Sequence, residues 1–252
     1  MIKIIMNGCN GNMGRKICAL VGKDSDAEIV AGVDMMASNA TFPTFTNIDE
    51  CDMPADVIID FSTATAVPGV INYAVRKKLP LILCTTGLSE ETIKMAEDAS
   101  KEIALFKSAN MSLGINLIAN MLKKVVGILD ENGFDIEITE RHHNQKIDAP
   151  SGTALLLADS INEASGNKFD YVYDRSQRRE KRNRKEIGIT AVRGGTIVGE
   201  HSVIFAGQDE VIEFKHNANS KDVFAVGAIK AAKFIVGKPA GKYDMQDIMN
   251  EL

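Results

Sequence analysis

The sequence IKIIMNGCNGNMGRKICALV, residues 2–21, decides the fold of the N-terminal part of the chain. Its first residues, Ile2 to Asn7, are mostly apolar and run into Gly8. Apolar side chains then recur at helical spacing from Asn12 to Val21. This order predicts a β-strand, a glycine-rich turn and an α-helix.

The following residues continue the alternation of strands and helices. Short β-branched segments bounded by turn residues predict the strands, and amphipathic segments predict the helices between them. Because each crossover places its helix on one face, the pattern indicates a parallel sheet covered on both faces. The predicted strands are 28–34, 55–61, 81–84 and 103–106, and the predicted helices are 67–78, 90–101 and 112–129.

The pattern changes after residue 134 to strands that no longer alternate regularly with helices, which indicates a second, mixed or antiparallel sheet. A last helix over 223–236 is assigned to the first domain, because chain ends often lie together. We therefore predict an α/β protein with a Rossmann-type parallel-sheet domain over 1–111 and 222–252, and a smaller α+β domain over 112–221. The predicted strands of the second sheet are 134–140, 186–193, 201–206 and 211–216.

The composition restricts the possible function classes. The chain has 252 residues, of which 45% are hydrophobic, and this is enough for a buried core. A formal net charge of -5 gives no global field that attracts nucleic acid, and no apolar run approaches the roughly 20 residues that span a bilayer. The first strand starts at Ile2 and leaves no room for a signal peptide, so we expect a cytoplasmic protein without nucleic-acid or membrane partners. The four cysteines lack CxxC spacing, which favours reduced, buried thiols over a zinc site.

Gly8, Gly11 and Gly14 form a GxxGxxG variant of the dinucleotide-binding fingerprint between the first strand and the first helix. Glycine permits a tight turn and a close approach to a pyrophosphate, while the helix N-terminus offers backbone N–H groups. Asp34 ends the second strand, where a carboxylate accepts hydrogen bonds from the adenosine ribose. The alternative is a simple turn and a strand-end cap. The turn residues assigned to the cofactor are Gly8, Cys9, Asn10, Gly11, Asn12 and Met13.

The residues around Asp34 also predict which dinucleotide is preferred. A carboxylate repels the 2′-phosphate of NADPH, and Met35 and Met36 follow it in place of an arginine. The sequence therefore favours NADH over NADPH. Arg15 or Lys16 offers the alternative, a contact to that phosphate from the first helix.

Two polar segments follow later strands of the same sheet. The carboxyl edge of an open parallel sheet is where ligands bind, and small hydroxyl and amide side chains suit a carboxamide and a ribose. Polar loops also occur at strand ends without any ligand. We assign both segments to the nicotinamide end of the cofactor: Cys84, Thr85 and Thr86, followed by Gly87, and then Ser108, Ala109, Asn110 and Met111.

The most informative stretch is ERHHNQKIDAPSGT at residues 140–153. Histidine titrates near neutrality and lysine donates a proton when its neighbours permit, so His142 and Lys146 are candidates for proton transfer. A helix predicted after Pro150, capped by Ser151 or Thr153, presents backbone N–H groups to an anion. Together these groups predict a pocket for a small molecule that carries carboxylates.

Alternative interpretations of single residues remain open. Metal binding by the His-His pair is disfavoured, because only Glu140 and Asp148 stand near it as further ligands. His201 and His216 lie inside predicted strands and are interpreted as structural, although His216 could lie near the substrate. The basic run 175–185 is interpreted as a solvated loop rather than a nucleic-acid patch.

The pattern E-x-H-H-x-x-K-x-D-A-P-S-G-T-A at residues 140–154 resembles the signature of the bacterial dihydrodipicolinate reductases. The glycine turn, the T-T-G after Cys84, the A-N at Ala109 and the segment from Arg193 to Phe205 are similar to family positions in family order. The resemblance implies reduction of 4-hydroxy-tetrahydrodipicolinate to tetrahydrodipicolinate in lysine and diaminopimelate biosynthesis.

The resemblance also implies roles for individual residues. His142 would donate or accept a proton and Lys146 would donate one. It further implies a homotetramer built through the second-domain sheets, and closure of the two domains about hinges near Ser112 and Lys221. The residues assigned to the substrate are His143, Ser151, Gly152 and Thr153.

Two other functions share part of this pattern. A different dehydrogenase of amino-acid metabolism would have the glycine turn without the cluster at 142–153. A non-catalytic NADH-binding sensor would keep the glycine turn and tolerate the loss of Lys146. The intact cluster argues against both.

Overall fold

The computed structural model describes residues 1–36 and 40–251. The chain divides into two compact units, Met1–Ser112 with Asp222–Leu252, and Leu113–Lys221. The sequence placed the first boundary one residue earlier, after residue 111. Residues 37–39 and Leu252 of the predicted first domain lie outside the described residues.

Strands and helices alternate through most of the first unit, whereas strands dominate the end of the second. The first unit begins with β1 (Ile2–Asn7), α1 (Asn12–Val21), β2 (Ala27–Val33), β3 (Thr44–Phe45), a 3-10 turn (Ile48–Glu50), β4 (Val57–Asp60), α2 (Val67–Lys77), β5 (Leu81–Leu83), α3 (Glu90–Ala99) and β6 (Ala104–Phe106). The second unit contains α4 (Leu113–Glu131), β7 (Asp135–His142), α5 (Gly152–Ala164), β8 (Asp170–Val172), β9 (Glu186–Arg193), β10 (Gly199–Ala206) and β11 (Val211–Ala218). The chain returns to the first unit with α6 (Asp222–Ile235), β12 (Gly241–Tyr243) and α7 (Met245–Asn250).

The first unit is built on a seven-stranded parallel sheet in the order β12-β6-β5-β4-β1-β2-β3. From β1 the chain proceeds to one side through β2 and β3, and then resumes on the other side at β4. The strand order therefore reverses between β1 and β4. Open α/β sheets bind ligands beyond the carboxyl ends of the strands at such a point.

Burial on both faces explains why the central strands read as continuous apolar runs. Ile4, Ile5 and Met6 of β1 are fully buried, as is every residue of β4. Each such side chain contributes roughly 1.5–3 kcal/mol relative to an exposed one. This burial fixes the strand ends that carry the polar residues described below.

Helix α6 belongs to the first unit, as the sequence analysis assigned it. Gly227 lies so close to the loop after β6 that a Cβ there would stand 1.7 Å from the carbonyl oxygen of Met111. Lys16 of α1 forms an ion pair with Asp222 at the start of α6, and Lys233 near its end binds Asp24 at 2.8 Å. These contacts fix α6 against both α1 and the loop that follows β6.

The second unit is a five-stranded mixed sheet in the order β11-β10-β7-β9-β8. Strand β7 pairs in antiparallel fashion with β10 and in parallel with β9. Apolar residues of α4 and α5 form one core with those of β7, β9 and β10. Along β7 the buried positions alternate, so Ile136, Ile138, Glu140 and His142 lie on one face. The apolar core thus continues directly into a buried acid and a buried histidine.

The basic run 175–185 has a structural role in this unit. Both terminal nitrogens of Arg175 donate hydrogen bonds to the Glu137 carboxylate, at 3.0 and 2.8 Å. Arg182 binds Glu137 and Asp135 at 2.8 and 2.7 Å. Its Nη2 also donates to the carbonyl oxygens of β7 and β9, at Ile136 and Glu186. The interpretation as a merely solvated loop was wrong for these arginines, because their charges neutralise acids on adjacent strands.

Candidate active site

The three glycines of the N-terminal turn have three different surroundings. Gly8 has φ +80, and a Cβ there would stand 2.4 Å from the carbonyl oxygen of Phe61. A Cβ on Gly14 would meet the carbonyl oxygen of Gly8 at 2.1 Å. A Cβ on Gly11 would touch only that oxygen, at 3.3 Å. The first glycine thus makes the turn, the third lets the helix approach it, and Gly11 leaves its outer side open, as a pyrophosphate requires.

The N-terminus of α1 is available to an anion. Gly11 is its N-cap and supplies no side-chain hydrogen bond to the first N–H groups of the helix. Asn12 is exposed and Met13 is half-buried beside them. Cys9 is different, since its side chain is buried and a Cβ on Gly32 would stand 2.7 Å from its sulfur. The turn residues therefore fit a dinucleotide mainly through their backbone.

Asp34 lies against the glycine turn, beside a cavity of about 760 Å³ that Gly8, Gly11 and Phe61 also line. Its Oδ2 accepts a hydrogen bond from the backbone N–H of Asn10 at 2.9 Å, and its Oδ1 accepts one from Met36 at 3.2 Å. The carboxylate is thus oriented by the turn itself. Lys16 is engaged with Asp222, whereas Arg15 lines a neighbouring cavity together with Asp34.

Asp60, at the end of β4, is a buried acid that the sequence analysis did not single out. Its carboxylate is fully buried and accepts three hydrogen bonds of 2.6 Å, from Asn7, Ser62 and Thr85. It therefore ties the end of β1, which precedes the glycine turn, to the T-T-G loop after β5. Burial of the sulfur and the Asp60 charge raise the pKa of Cys84 well above its usual range, so this thiol stays neutral.

The remaining strand-end residues line a cavity of about 580 Å³ at the carboxyl ends of β5 and β6. Cys84, Thr85, Thr86, Ser108 and Ala109 are among its walls. The next loop is held internally, because the Asn110 side chain accepts a hydrogen bond from the Ser112 N–H at 2.7 Å. The structure buries the side chains of Asn110 and Met111, so these two residues face the protein more than the cavity.

In the second unit, a buried acid and a histidine meet at the end of β7. Nδ1 of His142 lies 2.7 Å from Oε2 of Glu140, which is fully buried. Both terminal nitrogens of Arg193 bind the same carboxylate at 2.7 Å, and the backbone N–H of Ser151 donates to it at 2.9 Å. Burial favours the neutral acid, but hydrogen bonds from Arg193, His142 and Ser151 hold the pKa of Glu140 below its usual range.

His201 completes this group from β10. Its ring lies 5.1 Å from that of His142 in an edge-on arrangement, and its Nε2 lies 3.0 Å from Oγ of Ser151. Burial, and next the proximity of His142, lower the pKa of His201 to about 4. His201 is therefore neutral at physiological pH, which agrees with its interpretation as a structural residue.

Ser151 links this buried group to α5. Its side chain caps the helix by accepting a hydrogen bond from the Ala154 N–H at 3.2 Å, and it is 1% exposed. Gly152 and Thr153 follow as the first residues of the helix, the former exposed and the latter half-buried. With Ser151 as the N-cap, the backbone N–H groups of the first turn of α5 point away from the helix and can bind an anion.

Lys146 and the start of α5 already bind a carboxylate of the chain itself. The Lys146 ammonium lies 2.7 Å from the carboxylate of Asp148. This hydrogen bond, with a further contribution from the backbone of Gly152, holds the pKa of Asp148 below its usual range. His143, half-buried, lies two residues before the exposed Gln145 in the same loop. The groups assigned to a substrate carboxylate are thus able to hold one.

Residues 1–36 and 40–251 offer neither a metal site nor a membrane-spanning helix. No group of three or more histidine, cysteine, aspartate or glutamate residues in these ranges has the geometry to hold a metal ion. In the same part of the chain, no helix combines the length and the apolar character that crossing a bilayer requires.

The family of the chain is decided by matches over both parts of the sequence. Residues 2–111 match the model of the N-terminal part of dihydrodipicolinate reductase, and residues 114–249 match that of its C-terminal part. The chain belongs to the dihydrodipicolinate reductase family. Members of this family are oxidoreductases that use a nicotinamide cofactor, and the resemblance seen in the sequence is confirmed.

Similar proteins cover the whole chain. The 4-hydroxy-tetrahydrodipicolinate reductase of Caldanaerobacter subterraneus subsp. tengcongensis is 51% identical over 251 residues, covering 100% of this chain and 99% of that protein. The reductase of the same name from Clostridium tetani is 52% identical, over 99% of this chain and 98% of that one. A dipicolinate-bound dihydrodipicolinate reductase from Paenisporosarcina sp. TG-14 has the same fold, with a TM-score of 0.81, 21% identity, and coverage of 98% of this chain and 99% of that one. The predicted α/β fold class is confirmed.

Proposed function

We propose that the chain reduces 4-hydroxy-tetrahydrodipicolinate to tetrahydrodipicolinate, a step of lysine and diaminopimelate biosynthesis, with a nicotinamide dinucleotide as reductant. Relatives that carry the name of this reductase are about half identical over the full length, at 51% and 52%. The observation that carries the proposal is the carboxylate-binding arrangement of Lys146 and the start of α5, next to the buried Glu140–His142 pair.

The first unit supplies the dinucleotide site. Gly8 to Met13 and the N-terminus of α1 hold the pyrophosphate, and Asp34 holds the adenosine ribose. The nicotinamide end is assigned to the loops after β5 and β6. When bound, the reduced nicotinamide supplies a hydride to the substrate ring. The residues assigned to that end are Cys84, Thr85, Thr86, Ser108, Ala109, Asn110 and Met111.

The second unit supplies the substrate groups. His143, Ser151, Gly152 and Thr153 are assigned to the substrate carboxylates, with Ser151 acting chiefly by capping α5. The Lys146 ammonium forms an ion pair with Asp148 in this structure, so a substrate carboxylate has to displace the Asp148 carboxylate. This competition suits a dicarboxylate, because a second carboxylate adds binding energy that Asp148 cannot match.

Proton transfer is assigned to Lys146 and His142. The 4-hydroxyl group of the substrate leaves as water, and the resulting unsaturated ring accepts the hydride. Addition of the hydride leaves negative charge on the ring, and a cationic donor nearby stabilises this charge and then neutralises it by giving a proton. The Lys146 ammonium is only partly exposed and lies in the same loop as the carboxylate ligands. His142 is held by Glu140, which leaves its other ring nitrogen to exchange a proton.

A coupled assay tests this activity. The substrate is generated in place by the preceding enzyme of the pathway, and oxidation of NADH is followed by absorbance. We expect oxidation that depends on the preceding enzyme, with tetrahydrodipicolinate identified by mass spectrometry. A chain that binds NADH but never oxidises it under these conditions is a sensor, and the proposal is then wrong.

The proposal includes a preference for NADH. The oriented carboxylate of Asp34 opposes a 2′-phosphate, and we expect kcat/KM to be higher with NADH by on the order of tenfold. The variant Asp34→Asn keeps a hydrogen-bond acceptor but removes the charge. We therefore expect a smaller difference between kcat/KM with NADH and kcat/KM with NADPH. A wild-type preference for NADPH would show instead that Arg15 receives the phosphate.

A homotetramer is part of the same proposal. It is supported by the family resemblance and by β11, an edge strand of the second sheet on which Val211 is 65% exposed and Ile212 37% exposed. Light scattering on the eluting protein measures the mass directly. Four times 27.3 kDa is expected, and a monomer mass would reject this part of the proposal.

A further inference from the structure

All groups that contact the Glu140 carboxylate are hydrogen-bond donors, and this determines the protonation state of Glu140 and of His142. Its Oε1 accepts from Arg193 and from the Ser151 N–H, and its Oε2 accepts from Arg193 and lies 2.7 Å from Nδ1 of His142. A carboxylate with these contacts is ionised and has no proton to give. Nδ1 of His142 must therefore carry the hydrogen of that contact.

The other nitrogen of His142 is then the reactive one. In a neutral imidazole with hydrogen on Nδ1, Nε2 carries the lone pair. A Cβ on Gly199 would stand 3.1 Å from this Nε2, so glycine at that position keeps its surroundings clear. The neighbouring His201 is neutral and its Nε2 is directed to Ser151. Nothing in this group competes with Glu140 for Nδ1.

Arg193 determines the orientation of Glu140. Its Nη1 and Nη2 form a bidentate (two-pronged) contact with the carboxylate. The Nη2 atom also donates to the backbone carbonyl oxygen of Asp148 at 2.5 Å. A planar guanidinium fixes the plane of a carboxylate in a way that a single-point contact cannot. Arg193 therefore aligns the acid with His142 and also fastens the loop that carries Lys146.

We infer that Glu140 and Arg193 are positioning residues for proton exchange: they hold His142 in the Nδ1–H form and leave Nε2 free to exchange a proton with the substrate. The inference rests on the proposed function of His142, and it assigns a mechanistic role to two residues that do not themselves act on the substrate. The arrangement is a carboxylate–histidine pair backed by an arginine, the means by which a general acid or base is kept in one tautomer.

The test is the ¹⁵N spectrum of the full-length protein labelled at histidine. Only four histidines contribute signals, and a His142→Gln sample assigns those of His142. In the wild-type protein with a neutral His142 we expect a protonated Nδ1 and an unprotonated Nε2 for this residue. The opposite tautomer in the wild-type protein overturns the inference without any variant.

The variant Glu140→Gln adds a kinetic test. We expect mixed tautomers of His142 and a kcat lower by on the order of 10²-fold, with KM changed by less than about threefold. The matched control is Glu200→Gln, which removes an acid that pairs with Arg141 one register position away and leaves His142 untouched. It should keep the wild-type spectrum and kcat.

The outcomes separate the inference from the function on which it rests. If Glu140→Gln loses kcat but keeps the wild-type tautomer, Glu140 is merely structural and the inference is wrong. If Glu140→Gln mixes the tautomers while His142→Gln keeps the wild-type kcat, Glu140 does control the tautomer, but the proposed function of His142 fails together with the proton exchange that rests on it. Arg193→Lys keeps the charge but not the two-pronged contact, and an unchanged kcat there would remove Arg193 from the inference.

Discussion

His142 and His201 show how two neighbouring histidines receive different tasks from their surroundings. His142 faces a buried carboxylate, whereas His201 faces a serine hydroxyl and a second imidazole. A charged His201 would have no carboxylate of its own to pair with. Its low pKa, about 4, therefore has a consequence for stability.

Burial of His201 should weaken the fold in acid. The folded-state pKa of His201 is about 4, against an ordinary value of 6.5, so the unfolded chain binds a proton first as the pH falls. Stability that is fully present above that ordinary value is therefore lost as the pH falls toward the folded-state value. Between about pH 7.5 and about pH 5 this single group costs about 2 kcal/mol.

The variant His201→Gln measures this contribution. Glutamine places an amide nitrogen near Ser151 but cannot titrate. Urea unfolding at both pH values should show a smaller loss of free energy for the variant than for the wild-type protein. Equal losses would mean that His201 has the same pKa in the folded and unfolded states and that its burial has no such effect.

The buried acids differ in how far the sequence could have revealed them. Apolar and polar residues alternate from Ile136 to Thr139, and continuing this period of two places Glu140 and His142 on the face of Ile136 and Ile138. Strand continuation through His142 was therefore predictable, although the predicted strand ended at residue 140. The contact of Glu140 with Arg193 was not, since the two are 53 residues apart and meet only through the β7–β9 register.

Asp60 lacked any local signal of its role. The sequence shows it only as the polar end of an apolar strand, which many strands have. Its three partners come from β1, from the residue pair after β4 and from the loop after β5. The strand order that brings these segments together is a property of the folded sheet.

Among the secondary-structure elements, long patterned segments and short buried apolar strands were predictable, whereas short strands that are only partly buried were not. The helices α1, α2, α3 and α6 and the strands β1, β2, β4, β5 and β6 of the first unit were predicted to within a few residues. The strands β3, β8 and β12 have two or three residues each, and the sequence analysis missed them together with α7. The strands β5 and β6 are equally short, but each is a buried apolar run, whereas β3, β8 and β12 have no such run and are strands only because a neighbour pairs with them.

The basic run between β8 and β9 illustrates an element whose role only tertiary structure shows. Arg175, Arg178 and Arg182 bind acids of β7 and the start of β9, so these three charges are neutralised within the unit. Arg182 is the most enclosed of them, with 18% of its side chain exposed. It joins two strands through both side-chain and backbone oxygens.

We predict that Arg182→Ala destabilises the second unit by roughly 2 kcal/mol, because Glu137 and two strand carbonyls lose donors in a partly buried place. Arg179→Ala, an exposed position in the same run, is the matched control and should change stability by less than about 0.5 kcal/mol. Urea unfolding measures both. Equal effects of the two substitutions would show that the run contributes only net charge.

Considered as a whole, each of the two units has an apolar core of its own among the described residues. One lies entirely in the first unit, around β1, β4 and β5, and the other entirely in the second, under α4 and α5. Separate cores allow a substitution in one unit to leave the other folded. On the proposed function, the dinucleotide binds to the first unit, and the substrate carboxylates and the proton donors belong to the second.

The variant Lys146→Met tests this division of tasks most directly, because it keeps the apolar stem of the side chain and removes its charge. Steady-state kinetics with pathway-generated substrate should show a kcat lower by on the order of 10²-fold or more. NADH titration of the same sample should give a Kd within about twofold of the wild-type value. A wild-type kcat, or a loss of NADH affinity as large as the loss of kcat, would contradict the proposed division between the two units.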